Sequence, residues 1–195
     1  LMLLDEPLVN LDYKLREELR DELSQLFATG ESTVVYATTE PTEALMLGGH
    51  TAVLDAGELL QYGPTAQVFH RPRSIRVARA FSDPPMNLLA GTEAVLGARA
   101  DRSLTIGVRA AALRVEQRPG DVAIPGRVEL AEISGSDTFV HVDTAVGGLV
   151  APLPGVHALG LGETITLYLD PAQVYVFDAN GDLLAAPAQA TGEQA

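Results

Sequence analysis

The stretch Leu1-Met2-Leu3-Leu4-Asp5-Glu6-Pro7-Leu8-Val9-Asn10-Leu11-Asp12 decides the fold reading. Leu1 to Leu4 is an apolar run of the kind that forms a fully buried strand. It ends in two adjacent carboxylates, Asp5 and Glu6. A strand that ends this way presents both at its C-terminal edge, where open α/β sheets bind their ligands. That pairing suits phosphoryl transfer. One carboxylate holds Mg²⁺, usually through water, and the other orients the attacking water or takes its proton. Taken alone, the run equally fits a buried strand entering an acidic turn.

Outward from this stretch the chain alternates strand and helix. Leu15, Leu19, Leu23 and Leu26 form a helical stripe over 13–27, and Gly30 stops it. The β-branched run 33–38 reads as a second buried strand. Pro41 opens a short helix that reaches Leu47 and ends at Gly48-Gly49. Residues 51–54 and 58–62 read as a hairpin, and 64–70 and 74–81 as two short helices. This is the pattern of an α/β layer. The texture changes at Asp83-Pro84-Pro85. Beyond it come short alternating segments at 87–93, 104–108, 113–116, 126–133, 138–143, 148–151, 163–169 and 174–178. Many short strands with regular turns predict a barrel or sandwich. The reading is an α/β part over 1–83 and a β-rich part over 84–186. Small residues from Ala185 onward read as a tail, with 187–195 disordered.

Bulk properties narrow the function. The 195 residues carry a net charge of −13, which argues against nucleic acid, since phosphate binding needs a basic surface. The same charge argues against a polybasic membrane anchor, and Arg71, Arg73, Arg76 and Arg79 read as a solvated helix face. With no cysteine there is no disulfide framework and no thiolate metal site. No run reaches the roughly 18 apolar residues of a membrane span. The chain opens at Leu1 inside an apolar run, as expected of a piece of a longer protein. His50, His70, His141 and His157 lack metal-ligand spacing, and Gly160-Leu161-Gly162 lacks the rest of a dinucleotide fingerprint.

Residues 3–16, LLDEPLVNLDYKLR, resemble the Walker B strand and D-loop of ABC transporter ATPases, whose carbohydrate-importer branch reads close to LDEPLSNLDAKLR. The resemblance implies that Asp5 is the Mg²⁺-associated aspartate, acting through water, and Glu6 the catalytic carboxylate. It makes Asn10, Leu11 and Asp12 the D-loop, which meets the other protomer across a dimer interface; Val9 and Tyr13 depart from the usual Ser and Ala. Residues 33–45, TVVYATTEPTEAL, resemble the family's TVIYVTHDQVEAM. The histidine that contacts the γ-phosphate falls on Thr39, and Glu40 replaces Asp. Threonine has a shorter reach than imidazole and no titration near neutral pH. A purely structural alternative is that Thr39 or Glu40 caps the helix, with Pro41 in its first turn. Residues 53–72 resemble the close of the ATPase domain, 82–88 the connector, and 104–115 the IGVRPEH segment of the regulatory domain, with Ala110 and Ala111 for Pro and Glu.

The resemblance implies the C-terminal half of a P-loop-type ABC ATPase domain followed by an all-β, OB-like TOBE regulatory domain. It further implies an ATP-binding subunit of an importer for a sugar or a polyol such as glycerol, using ATP and Mg²⁺. Such a subunit is cytoplasmic, lies on the inner face of the cell membrane without entering it, and works with permease subunits and a second ATPase subunit. Thr39 favours a non-identical partner over a homodimer. No GxxxxGK[ST] loop, signature motif or glutamine loop is present, and the only lysine, Lys14, lies in the helix after the D-loop. The isolated chain is therefore expected to be inactive. The alternative is a non-enzymatic, ligand-binding OB-like module with a relic ATPase segment.

Overall fold

The computed structural model describes residues 1–28, 30, 33–90, 101 and 103–188. Two compact units divide the chain, Leu1–Phe69 and His70–Ala195.

In the first unit, β1 (Met2–Asp5) pairs in parallel with β2 (Val34–Ala37), Met2 opposite Val34 and Asp5 opposite Ala37. The intervening α1 (Tyr13–Ala28) makes the crossover that a parallel pair requires. α2 (Pro41–Leu47) starts with Pro at its first turn and ends at Gly48, whose φ of 67° a residue with a Cβ adopts only under strain. β3 (His50–Asp55) and β4 (Glu58–Pro64) form an antiparallel hairpin with a bulge at Val53/Leu54, and α3 (Thr65–His70) follows. One expectation needs correcting. β1 and β2 are not fully buried strands: Leu3 is 71 % exposed and Val35 55 %. Among the described residues β1 and β2 form a sheet of two strands only, too narrow to enclose its own apolar side chains.

The second unit is nearly all β. One sheet runs β10-β9-β8-β11-β7, built from Leu113–Arg114 (β7), Val122–Ser134 (β8), Asp137–Thr144 (β9), Gly147–Pro154 (β10) and Thr164–Leu169 (β11). The other runs β13-β12-β6-β5, from Asn87–Ala90 (β5), Thr105–Val108 (β6), Tyr175–Phe177 (β12) and Leu183–Ala185 (β13). Leu89, Ile106 and Val108 from the second sheet share one core with Val140, Leu149, Leu167 and Leu169 from the first. The buried Asn87 side chain ties the sheets: its amide donates to Val150 O (2.9 Å) and its carbonyl accepts from Val150 N (2.7 Å). Such a pair is fully satisfied, which is the condition for burying an amide.

The unit boundary falls before the seam read at Asp83–Pro85. The physical reason is α4 (Ile75–Ala80), capped by the Ser74 hydroxyl. Ala78 packs with Met86, Tyr175 and Phe177, and Ile75 N and Leu183 N donate to Gly181 O and Arg73 O. Those contacts fold 70–83 onto the β unit. Ala185 lies in β13 rather than in a tail, and 189–195, like 91–93 of the first predicted β segment, lie outside the described residues.

Candidate functional site

The parallel register sets the site. Because Asp5 stands opposite Ala37, the two strand ends leave the sheet side by side, Glu6 from one and Thr39 from the other. Glu6 N donates to Ala37 O at 2.9 Å, which extends the pairing one residue past β1. There the backbone turns sharply, with Glu6 at φ 47°. A non-glycine residue held in the left-handed region stores strain of about 1–3 kcal/mol, and such strain clusters at functional sites. The Thr39 hydroxyl donates to Glu6 Oε2 at 3.3 Å. Asp5 and Thr39 are exposed and Glu6 is half-buried.

Asn10, Leu11 and Asp12 lead into α1, and their hydrogen bonds are local. The Asp12 carboxylate accepts from Leu15 N (3.1 Å), an N-capping bond, while its carbonyl accepts from Arg16 N. Leu11 O accepts from the Arg16 guanidinium (3.3 Å), and Asn10 has φ 68°. The structure thus joins Glu6 to Thr39 and sets Asn10 to Asp12 apart as the start of a helix.

The capping alternative for Thr39 and Glu40 does not hold. Glu40 occupies the N-cap of α2 without a side-chain bond, and the Thr39 hydroxyl is turned to Glu6. What orders this turn is a residue the sequence reading passed over. Glu43, only 4 % exposed, accepts at Oε2 from the Tyr36 phenol (3.0 Å) and the Thr38 hydroxyl (2.6 Å). Burial, and then the bond to Glu43, push the Tyr36 phenol above its ordinary value. The available signal was a glutamate in the first turn of a helix that follows a strand carrying Tyr36 and Thr38 two residues apart. Those two share a face of the strand, and Glu43 reaches it from α2.

Carboxylate and hydroxyl oxygens are the hard donors Mg²⁺ takes, and Mg²⁺ keeps waters and substrate phosphates for its other positions. The exposed Asp5 carboxylate is a donor of that kind. Among the described residues no group of three or more His, Cys, Asp or Glu could hold a metal by itself. His50 stacks on Tyr62, and His157 meets Pro154 O.

Residues 106–177 match the TOBE domain family. The chain is 32% identical over 202 residues to the sn-glycerol-3-phosphate import ATP-binding protein of Yersinia enterocolitica, covering 93% of this chain and 56% of that protein. The chain is a homologue of ABC importer ATP-binding subunits. It is 34% identical to the xylose/arabinose import ATP-binding protein of Haloferax volcanii (93% of this chain, 54% of that one). It is 30% identical to the alpha-glucoside transport ATP-binding protein of Rhizobium meliloti (92% and 56%). The chain spans about half the length of the curated relatives it matches. The first unit accordingly has the α/β character of an ABC ATPase segment, and the second is an OB-like TOBE domain. Among the described residues, no helix is long and apolar enough to cross a membrane.

Proposed function

We propose that this chain is part of the ATP-hydrolysing subunit of an ABC importer for a sugar or a polyol such as glycerol. The observation that carries the reading is the Thr39–Glu6 hydrogen bond at the paired ends of β1 and β2. Asp5 would associate with Mg²⁺ through water, and Glu6 would orient the water that attacks the γ-phosphate. Thr39 stands at the switch position, and Asn10, Leu11 and Asp12 would meet a second ATPase subunit. Mg²⁺ supplies charge neutralisation on the phosphates when ATP is bound. The subunit would sit on the cytoplasmic face of the membrane against permease subunits.

The chain alone would not hydrolyse ATP, because its sequence holds no phosphate-cradling loop. Its only lysine, Lys14, is exposed and faces Glu18 at 3.8 Å on α1. Removing one well-placed polar group at a reacting centre costs about a hundred- to a thousandfold in rate. A homodimer would carry the threonine in both of its sites, whereas a non-identical partner keeps one site whole. The test uses the full-length protein, alone and with the ATPase subunit encoded beside it. Turnover should be low alone and higher with the partner, and Thr39→His should raise the former. Glu6→Gln should slow hydrolysis while ATP still binds. Full activity alone that is indifferent to Thr39→His would refute the weakened site.

A further inference from the structure

We infer that Glu43 is a positioning residue that holds Thr39 against Glu6, an assignment that rests on the reading of Glu6 and Thr39 given above. Burying a carboxylate is costly unless hydrogen bonds satisfy it, and Glu43 is 4 % exposed on a seven-residue helix. Its Oε2 accepts from Tyr36 within β2 and from Thr38 just beyond it. Side chains alternate along an extended segment, so these two lie on the face opposite Ala37 and Thr39. The burial follows the same alternation: Tyr36 and Thr38 are half-buried, and Ala37 and Thr39 are exposed. Glu43 therefore grips the segment from one side, and Thr39 is presented on the other.

The grip extends through the turn. Thr38 Oγ1, while donating to Glu43, accepts from Glu40 N at 3.0 Å, and Glu43 N donates to Glu40 O at 3.1 Å. Both neighbours of Thr39 are thereby fixed to Glu43, directly or through one hydroxyl. The N-cap side chain adds nothing, since Glu40 makes no capping bond. Without Glu43, Thr38 loses its acceptor and the turn loses the anchor that sets where the Thr39 hydroxyl points. Small misplacements of this kind cost rate rather than affinity.

The test uses the full-length protein without a second subunit, so that every site carries this chain's residue 39. ATP turnover is measured for the unmutated protein, Glu43→Gln, Glu43→Ala, Thr39→Ala and the double alanine variant. Hydrogen exchange of the Glu40 amide is followed without nucleotide. Glu43→Ala should lower kcat about tenfold with KM within about threefold, and Glu43→Gln, whose amide oxygen can accept both bonds, should rescue most of it. The double variant should match Thr39→Ala, because Glu43 acts through that residue. Exchange at Glu40 should quicken about tenfold in Glu43→Ala and little in Glu43→Gln. Should Glu43→Ala fail to fold, Glu43→Asp, one methylene too short to reach the Thr38 hydroxyl, should quicken exchange alike. Losses that multiply in the double variant, or exchange unchanged by Glu43→Ala and Glu43→Asp, would overturn the assignment. Absent turnover in the unmutated protein, both alone and with its partner, would instead overturn the functional reading, and the exchange result would still decide on Glu43.

Discussion

Phe177, Leu167 and Ile106 of the β unit are fully buried, whereas Leu3 and Val35 of the α/β unit, on strands just as apolar, are 71 % and 55 % exposed. The difference lies in layering. In the β unit, sheets of five and four strands close on a core that holds Leu167 and Ile106, and Phe177 packs with Ala78 of α4, Met86 and Tyr175, while among the described residues β1 and β2 have only each other for sheet neighbours. The carboxylates and hydroxyls with chemical potential stand in the unit with the open strands, at the end of its parallel pair. The β unit spends its sequence on packing. Stability and chemistry of this chain should therefore respond to different substitutions.

The largest contrast is in large-to-small substitutions. Phe177→Ala should destabilise the β unit by about 3–5 kcal/mol through lost burial and the cavity left behind. Leu3→Ala should change the stability of this chain by less than about 0.5 kcal/mol. Hydrogen exchange read by mass spectrometry scores each unit separately. A cost at Leu3 comparable to that at Phe177 would mean that β1 is packed in solution, and the contrast would fail.

The next test adds atoms instead of removing them. A Cβ on Gly107 of β6 would meet Met86 Sδ at 2.5 Å and Phe177 Cε2 at 2.8 Å. Gly107→Ala should cost about 1–3 kcal/mol as an overpacked core does. At Gly63 of β4 the nearest atom is Val68 Cγ2 at 3.7 Å, an ordinary contact, so Gly63→Ala should stay within about 0.5 kcal/mol. Urea unfolding of both variants checks the pair, and equal costs would show that the β core yields where the geometry says it cannot.

The same contrast explains what the sequence let one read. Helices and strands before Asp83 were legible because their periods are clean: the leucine stripe of α1, the Pro41 start and Gly48 stop of α2, the hairpin around Gly57. Burial was not legible, because an apolar strand looks the same whether or not another layer covers it. In the β unit the errors lie at edges. β8 begins at Val122, ahead of the expected start at Gly126. Pairing with β9 starts only at Gly126, so at Pro125 the neighbour is β11 alone, a place where proline is tolerated. β13 was missed because Leu183–Ala185 is too short to alternate visibly. At the candidate site, Asp5 and Glu6 stood out by residue type, and Thr39 only because it falls where the resembling family has histidine. Glu43 did not, since a glutamate in a short helix reads as solvated until Tyr36 and Thr38 are seen to bond to it.

The smallest expected effects are in pH, and the two units should answer at opposite ends. Tyr36, in the α/β unit, has its folded pKa raised by burial and then by Glu43. Its contribution is present below the ordinary phenol value of about 10 and is lost as pH rises beyond it. Asp121, in the β unit, accepts from the Arg114 guanidinium at both oxygens (2.6 and 2.8 Å) and from Arg118 N (2.8 Å). The Arg114 bond above all holds its carboxyl below the usual aspartate value. A depressed folded pKa gives a contribution present above the unfolded value of about 3.9 and lost as pH falls through the folded one. Asp121→Asn should therefore be less stable than the unmutated chain by a constant margin near neutrality, and that margin should shrink below about pH 4. Tyr36→Phe should show the mirror image, its margin constant to about pH 9 and shrinking above about pH 10. Thermal midpoints taken across the pH range measure both. If the Asp121 margin stayed flat down to pH 2, the Arg114 pair would contribute nothing to folding in solution.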